Sequence, residues 1–230
     1  MGTLYIVATP IGNLEDISAR ALRILKEVDL VLCEDTRVTR KLLSRYNIYT
    51  SLLSYHQHSG EKAMARVLDL LSQGKNIVLV SDAGTPGIAD PGNELIGFLL
   101  KNNPETKIVP IPGPSALAAM ASIAGVSTDK FLFLGYPPHN KRRKKFFEEI
   151  AQSQYAVIFY ESPHRILKTL GELHGILRKV AVAKNHSIVV GRELTKKFET
   201  VYRGTIEEVL AQLQTGKVRG EFAVVVYREK

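Results

Sequence analysis

Three short runs in the 230-residue chain combine glycine, proline and polar side chains in a way that suits ligand binding. The longest is Ser81-Asp82-Ala83-Gly84-Thr85-Pro86-Gly87-Ile88-Ala89-Asp90-Pro91-Gly92; the others are Thr9-Pro10-Ile11-Gly12-Asn13 and Cys33-Glu34-Asp35-Thr36-Arg37. The long run matches neither glycine-rich phosphate loop, G-x-G-x-x-G or G-x-x-x-x-G-K-[ST]. Pro86 and Pro91 lack the N–H donors that a phosphate needs, and Asp82 and Asp90 repel an anion. Carbonyls and carboxylates suit a cationic ligand instead, with glycines letting the backbone approach it closely. A tight structural turn capped by Asp82 is the plain alternative.

Other candidates lie further along. Glu161 and Glu193 follow apolar runs that read as strands, and functional groups of open α/β sheets cluster beyond strand ends. With Arg192 they are candidates for catalysis; structural ion pairs of Glu161 with Arg165 and of Glu193 with Arg192 are the alternative. His164 follows Pro163 and caps or packs as readily as it reacts. The histidines show no H-x-x-x-H spacing, so no metal is expected. Lys141-Arg142-Arg143-Lys144-Lys145 is the densest cationic block, a candidate patch for phosphate backbone or a solvated helix face. Tyr136 and His139 beside it could stack on bases or touch ribose. Arg37 and Arg40 are second candidates for phosphate contact, with a structural link to nearby carboxylates as the alternative.

These residues need elements to hold them. Leu4 to Ala8, Asp29 to Cys33, Leu52 to Ser54, Ile77 to Val80 and Ile108 to Ile111 read as strands. Helical patterns over Ala19–Val28, Thr36–Tyr46, Glu61–Ser72 and Asn93–Asn102 alternate with them. Repeated βα units mean a mostly parallel sheet covered by helices on both faces. Pro114 suits the first turn of an Ala-rich helix over 115–124, near which the domain boundary is placed. Residues 1–114 then form one α/β domain and residues 115–230 a second, mixed one. In the second, Phe131–Leu134, Val157–Tyr160, Ser187–Val190, Phe198–Tyr202 and Phe222–Tyr227 read as strands. A basic helix runs from about Lys141 to Ala151, Ser162-Pro163 opens another, and Thr205-Ile206-Glu207-Glu208 is a capping box. Short links imply antiparallel pairing, hence a mixed sheet.

Composition sets the class. Hydrophobic residues make up 45% and charged residues 23%, a globular balance. No apolar run approaches the ~20 residues of a membrane span, and the N-terminus does not read as a secretion signal. Cys33 is the only cysteine, which excludes an internal disulfide or a multi-cysteine metal site. A cytoplasmic protein with no membrane partner is expected. The net charge of +8 is unevenly placed: residues 1–115 hold 12 basic and 12 acidic residues, residues 116–230 hold 19 and 11. That asymmetry points to an anionic partner for the second half.

The run from Ser81 to Gly92, with Thr9-Pro10-Ile11-Gly12-Asn13-Leu14-Glu15-Asp16 and Glu34-Asp35-Thr36-Arg37, resembles the tetrapyrrole methylase superfamily. So do Pro110-Ile111-Pro112-Gly113-Pro114-Ser115-Ala116, Glu161-Ser162-Pro163-His164-Arg165 and Arg192-Glu193-Leu194-Thr195-Lys196. Within the superfamily these motifs are similar to the branch that methylates small-subunit ribosomal RNA, from Leu4 to about Tyr227. Relatives there often carry a further small helical segment C-terminal to the matching region. The resemblance implies two α/β domains that hold S-adenosylmethionine between them, a cofactor whose sulfonium and ammonium match the cationic ligand inferred above. It implies cofactor contacts from Pro10, Ser81, Asp82, Ala83, Gly84, Ile88, Ser115 and Ala116, and from Leu134, Tyr160 and the segment Gly191 to Leu194. It further implies 2′-O-methylation of a cytidine ribose in the decoding region of 16S rRNA, a substrate of free small-subunit rRNA or the assembled subunit, and a homodimer. A methylase of a tetrapyrrole precursor and a non-catalytic RNA-binding protein are the rival readings. The basic second half disfavours the first, and the elaborate strand-end loops disfavour the second.

Overall fold

Runs of Leu, Ile and Val only three to seven residues long carry the sheets, and their faces are assigned by strict alternation. In the computed structural model, which describes residues 1–57, 59–179, 186–216 and 218–229, the chain divides into two units, Met1–Ser115 and Ala116–Lys230.

The first unit is a parallel sheet of β1 (Thr3–Val7), β2 (Leu30–Cys33), β3 (Leu52–Ser54), β4 (Ile77–Leu79) and β5 (Lys107–Ile111), in the order β3-β2-β4-β1-β5. Its helices are α1 (Ala19–Glu27), α2 (Thr36–Arg45), α3 (Gly60–Ser72) and α4 (Asn93–Asn102). On one face Val7, Val31, Cys33, Val78 and Val80 pack with Ala21, Ile24 and Leu25 of α1 and Leu43 of α2. On the other, Leu4, Ile6, Leu32, Ile77 and Leu79 pack with Val67 and Leu71 of α3 and Leu95 and Leu99 of α4. The chain therefore leaves β1 toward one face and β4 toward the other, although these strands are neighbours. Such a reversal opens a crevice beyond their carboxyl ends, where ligands of doubly wound sheets bind.

The second unit begins with α5 (Ala116–Ile123), one residue after the break. Its sheet contains β6 (Phe131–Phe133), β7 (Ala156–Glu161), β8 (His186–Arg192), β9 (Thr200–Gly204) and β10 (Phe222–Arg228) in the order β6-β7-β10-β8-β9. Only β6 and β7 pair in parallel; β10 runs antiparallel to β7 and β8, and β9 to β8. The sheet is mixed, as the short links predict. Helices α6 (Arg142–Gln152), α7 (Ile166–Leu177) and α8 (Ile206–Gln214) cover one face, around Phe147, Phe159, Leu170, Val190, Val209 and Val224. On the other face α5 packs over β10. Its final carbonyls, of Ile123 and Ala124, accept from the Arg203 guanidinium of β9, a side-chain substitute for the missing next turn. The capping box forms as read: Thr205 Oγ1 accepts from the Glu208 amide at 3.2 Å and Glu208 returns a carboxylate to the Thr205 amide at 2.8 Å.

Three expectations are corrected. Helix α7 opens at Ile166, not at Ser162-Pro163; residues 162–165 make a preceding turn in which the Ser162 carbonyl accepts from the Arg165 and Ile166 amides. Pro114 lies ahead of α5, whose first residue is Ala116. Strand β9 starts at Thr200, leaving Phe198 in a loop. Among the described residues no helix is long and apolar enough to cross a membrane.

Phe159 is fully buried between β7 and α6, with Phe146 edge-on at 5.8 Å. Phe159→Ala should lower the unfolding free energy by about 3–5 kcal/mol, as large-to-small changes in packed cores do; urea denaturation reads this directly.

Candidate active site

At the carboxyl end of the first sheet, backbone geometry gathers the predicted residues. Beyond β1 and β4, Thr9 and Gly84 form a two-bond bridge: the Thr9 amide donates to the Gly84 carbonyl at 2.8 Å, and the Gly84 amide to the Thr9 carbonyl at 3.0 Å. Gly84 has φ +85°, a left-handed conformation natural only to glycine, and a Cβ there would meet Ile11 Cγ2 at 3.4 Å. Thr9 Oγ1 donates to the Ser81 carbonyl at 3.1 Å, and Thr85 Oγ1 to the Pro114 carbonyl at 3.1 Å, so the loop after β5 joins the assembly. Pro10, Ser81, Asp82, Ala83, Gly84, Ile88 and Ser115 thus lie on loops that follow three adjacent strands, β4, β1 and β5. Ser81 is buried and Asp82, Ala83 and Ile88 are exposed.

The loop after β2 is attached through Asp82, whose Oδ1 accepts from the Asp35 amide at 3.2 Å. Asp35 caps α2 by accepting from the Arg37 amide at 2.8 Å. The Arg37 guanidinium beside Asp35 holds its carboxyl down to about 2. Arg37 remains 86% exposed, and Arg40 on the same helix is exposed too.

Glu34, which sequence reasoning did not single out, is the most informative carboxylate here. Burial pushes its carboxyl up, and the negative charges of Asp90 and Asp82 push it further in the same direction. The loops after β2 and β4 thus bring the carboxylates of Glu34, Asp82 and Asp90 close enough to act on one another. Its position directly after β2, level with Ser81 after β4, was the signal available in the sequence.

In the second unit the residues divide differently. Leu134 and Tyr160 adjoin: the Leu134 amide donates to the Ile158 carbonyl and the Tyr160 amide to the Gly135 carbonyl. The Tyr160 ring meets Phe133 and Tyr136 edge-on at 5.0 and 5.6 Å. Gly191 lies across Ala223 from Tyr160 in the sheet register. A Cβ on it would meet Met120 Sδ at 2.8 Å and Leu194 Cδ2 at 2.9 Å, so those side chains would have to shift. Ala116 is the first residue of α5.

Glu161 is 1% exposed. Its Oε1 accepts from the Ser162 amide at 2.7 Å and from Arg165 Nε at 2.8 Å; its Oε2 accepts from Thr169 Oγ1 at 2.6 Å. Arg165 Nη1 in turn donates to the Pro137 carbonyl at 3.0 Å. Arg143 approaches Glu161 at 4.0 Å and donates to Glu172 at 2.5 Å, Thr169 at 2.6 Å and the Pro138 carbonyl at 3.4 Å, with Phe147 beneath its guanidinium. Glu161 is therefore a buried carboxylate with both oxygens engaged, and its ion pair with Arg165 is the one that the structural alternative expects. Arg143 points into this network, whereas Lys141, Arg142, Lys144 and Lys145 are exposed.

Glu193 pairs with Lys196 at 2.8 Å and accepts from the Glu221 amide at 3.0 Å, so its expected alternative partner Arg192 is replaced. Burial raises its carboxyl, but the Lys196 ammonium, the Glu221 amide and neighbouring cations outweigh that and hold it below the usual value. Such a group is a weak base. Arg192 Nε donates to the Arg219 carbonyl at 2.7 Å. Arg165 as a partner of Glu161 was legible beforehand; Thr169, Glu172 and Glu221 as partners were not.

Glu34→Gln tests the electrostatics. An ordinary glutamate loses its proton near pH 4.5, and the folded one retains it to higher pH, so folding stability falls as pH rises through that window. The variant should melt ~1–3 °C higher at pH 7, with the difference vanishing toward pH 4; calorimetry across pH measures this.

A family model for tetrapyrrole (corrin/porphyrin) methylases matches residues 3–210. The chain is 43% identical to ribosomal RNA small subunit methyltransferase I of Halalkalibacterium halodurans, over 98% of this chain and 75% of that protein. It is 44% identical to the protein of the same name from Synechocystis, over 98% and 79%, and 39% to that of Thermotoga maritima, over 98% of both. In fold it is similar to diphthine synthase, with TM-score 0.74 and 14% identity over 98% of this chain and 90% of that one. It is also similar to uroporphyrin-III C-methyltransferase from Thermus thermophilus complexed with S-adenyl homocysteine, with TM-score 0.64 and 18% identity over 98% and 97%. Motifs, sheet order and near-full-length identity agree: the chain belongs to the tetrapyrrole methylase family, in its ribosomal RNA small subunit methyltransferase I branch.

Proposed function

We propose that this protein transfers a methyl group from S-adenosylmethionine to the 2′-hydroxyl of a cytidine ribose in the decoding region of small-subunit ribosomal RNA. The observation that carries this reading is the near-full-length likeness to ribosomal RNA methyltransferases; the site's chemistry supports it. The residues at the first unit's strand ends fit the cofactor. Negative charge from Asp82 and Asp90 already pushes Glu34 up, and a sulfonium or ammonium relieves that repulsion. Gly84 keeps the crevice floor free of a side chain where the Thr9 bridge closes it.

When bound, S-adenosylmethionine supplies an electrophilic methyl group and a good thioether leaving group, which the ribose oxygen displaces in line. The chain's own contribution is chiefly placement. Glu161 is enclosed, and Glu193 is held ionised by Lys196, so neither is tuned to take a proton near neutral pH. The Arg192 guanidinium, anchored through Nε to the Arg219 carbonyl, places a fixed positive charge at the end of β8. Glu161, through Arg165 and Arg143, fixes the backbone at Pro137 and Pro138 and so orients Tyr136, His139 and the start of the basic helix. Lys141, Arg142, Lys144 and Lys145 then meet RNA phosphates; Lys144 shares its charge with Glu148 at 3.5 Å.

Three measurements test this. Ribose methylation mapped in rRNA from cells lacking the protein should lack one cytidine modification, restored on adding it back; an unchanged map overturns the assignment. Asp82→Asn keeps the acceptor for the Asp35 amide but removes a charge, and should weaken S-adenosylmethionine binding by about 5-fold or more in calorimetry. Replacing Lys141, Arg142 and Lys145 by alanine should weaken RNA binding and make the slope of log affinity against log salt shallower by ~2–3, leaving cofactor affinity unchanged.

A further inference from the structure

The β8–β9 loop, residues 193–199, lies at the same end of the second sheet as Tyr160 and the Pro137-Pro138 turn, because β7 and β8 both run antiparallel to β10. Its backbone is tightly constrained. Glu193 and Thr195 adopt φ of +52° and +66°, a left-handed conformation unfavourable for any side chain and most so for a β-branched one. Four contacts hold it there. The Glu193 amide donates to the Glu221 carbonyl at 2.9 Å and the Thr195 amide to the Glu199 carboxylate at 2.6 Å. The Lys196 amide donates to the Glu193 carbonyl at 3.0 Å, and its ammonium bridges Glu193 and Glu221 at 2.8 and 2.9 Å.

This wiring sets what the loop shows to solvent. Its two carboxylates, Glu193 and Glu199, and the neighbouring Glu221 are engaged by Lys196 or the backbone. Lys197 forms no ion pair among the described residues and sits over the Phe198 ring, its ammonium 5.7 Å from the centroid. Phe198 is 66% exposed. An aromatic ring held in water by an ordered loop, beside an unneutralised ammonium and near Arg192 and Arg219, has the composition of a stacking platform for single-stranded nucleic acid. The charge excess around it favours a polyanion over a protein surface.

We propose that Phe198 stacks on an unpaired base of the RNA substrate while Lys197 meets the adjoining phosphate. This rests on the RNA reading above and names a contact separate from the basic helix. The probe is a short single-stranded RNA containing 2-aminopurine, bound to the full chain and its variants Phe198→Ala, Phe198→Tyr and Lys197→Ala. Stacking predicts that Phe198→Ala binds about 10-fold more weakly, loses the fluorescence quenching and keeps the salt slope. Phe198→Tyr should retain affinity and quenching, and Lys197→Ala should reduce the slope by ~1. S-adenosylmethionine affinity should be unchanged in all three, which excludes general misfolding. If Phe198→Ala binds like the parent while the Lys141/Arg142/Lys145 variant does not, stacking is overturned and the RNA reading stands. If neither variant affects RNA, both fall. A change of oligomeric state in sedimentation, without an effect on RNA, assigns the ring to a protein interface and likewise overturns stacking.

Discussion

The two hydrogen bonds between Thr9 and Gly84, 2.8 and 3.0 Å long, hold together the functional end of the first unit. They join loops that the winding of the sheet sends to opposite faces, and the join requires the positive φ of Gly84. With it in place, Thr9 reaches the Ser81 carbonyl, Thr85 reaches Pro114, and Asp82 reaches the loop after β2. The same closure crowds Glu34 with the charges of Asp82 and Asp90. Carboxylates gathered in this way suit a cationic group, whose charge favours their ionised forms.

The second unit uses charge in a different way. Its buried anion, Glu161, is enclosed by Ser162, Arg165 and Thr169, and removing one partner of such a set would leave an unpaired charge inside. The outer arms of Arg165 and Arg143 then carry that rigidity to the Pro137 and Pro138 carbonyls. A fixed carboxylate beneath thus sets the geometry of the cationic surface above it. The Glu193–Lys196–Glu221 cluster does the same for the β8–β9 loop. In both places a carboxylate with little exposure, Glu161 or Glu193, organises the backbone around it.

Under the proposed methyl transfer, both carboxylates read from sequence act as positioning groups. A methyl transfer from a sulfonium depends on alignment more than on a strong base. Neither Glu161, sealed from solvent, nor Glu193, held below the ordinary carboxylate value, is poised for proton abstraction. What both supply is a fixed backbone at the strand ends.

Much of this was legible from local pattern. Short apolar runs marked the strand cores, Thr205 and Glu208 announced their capping box, and the proline- and glycine-rich run after β4 declared itself unsuited to phosphate. Those features depend on residues within a few positions of one another, so neighbouring sequence determines them. The partners of charged side chains were not legible. Arg143 reads as one of five equal cations until α7 brings Glu172 and Thr169 against it from 29 and 26 residues away. Glu193 pairs with Lys196 rather than Arg192 in a loop where Glu193 and Thr195 are left-handed, and that loop, not β9, holds Phe198. Sequence alone determined which residues stand at the strand ends; tertiary packing decided which of their charges face inward, because that choice depends on distant elements meeting in space.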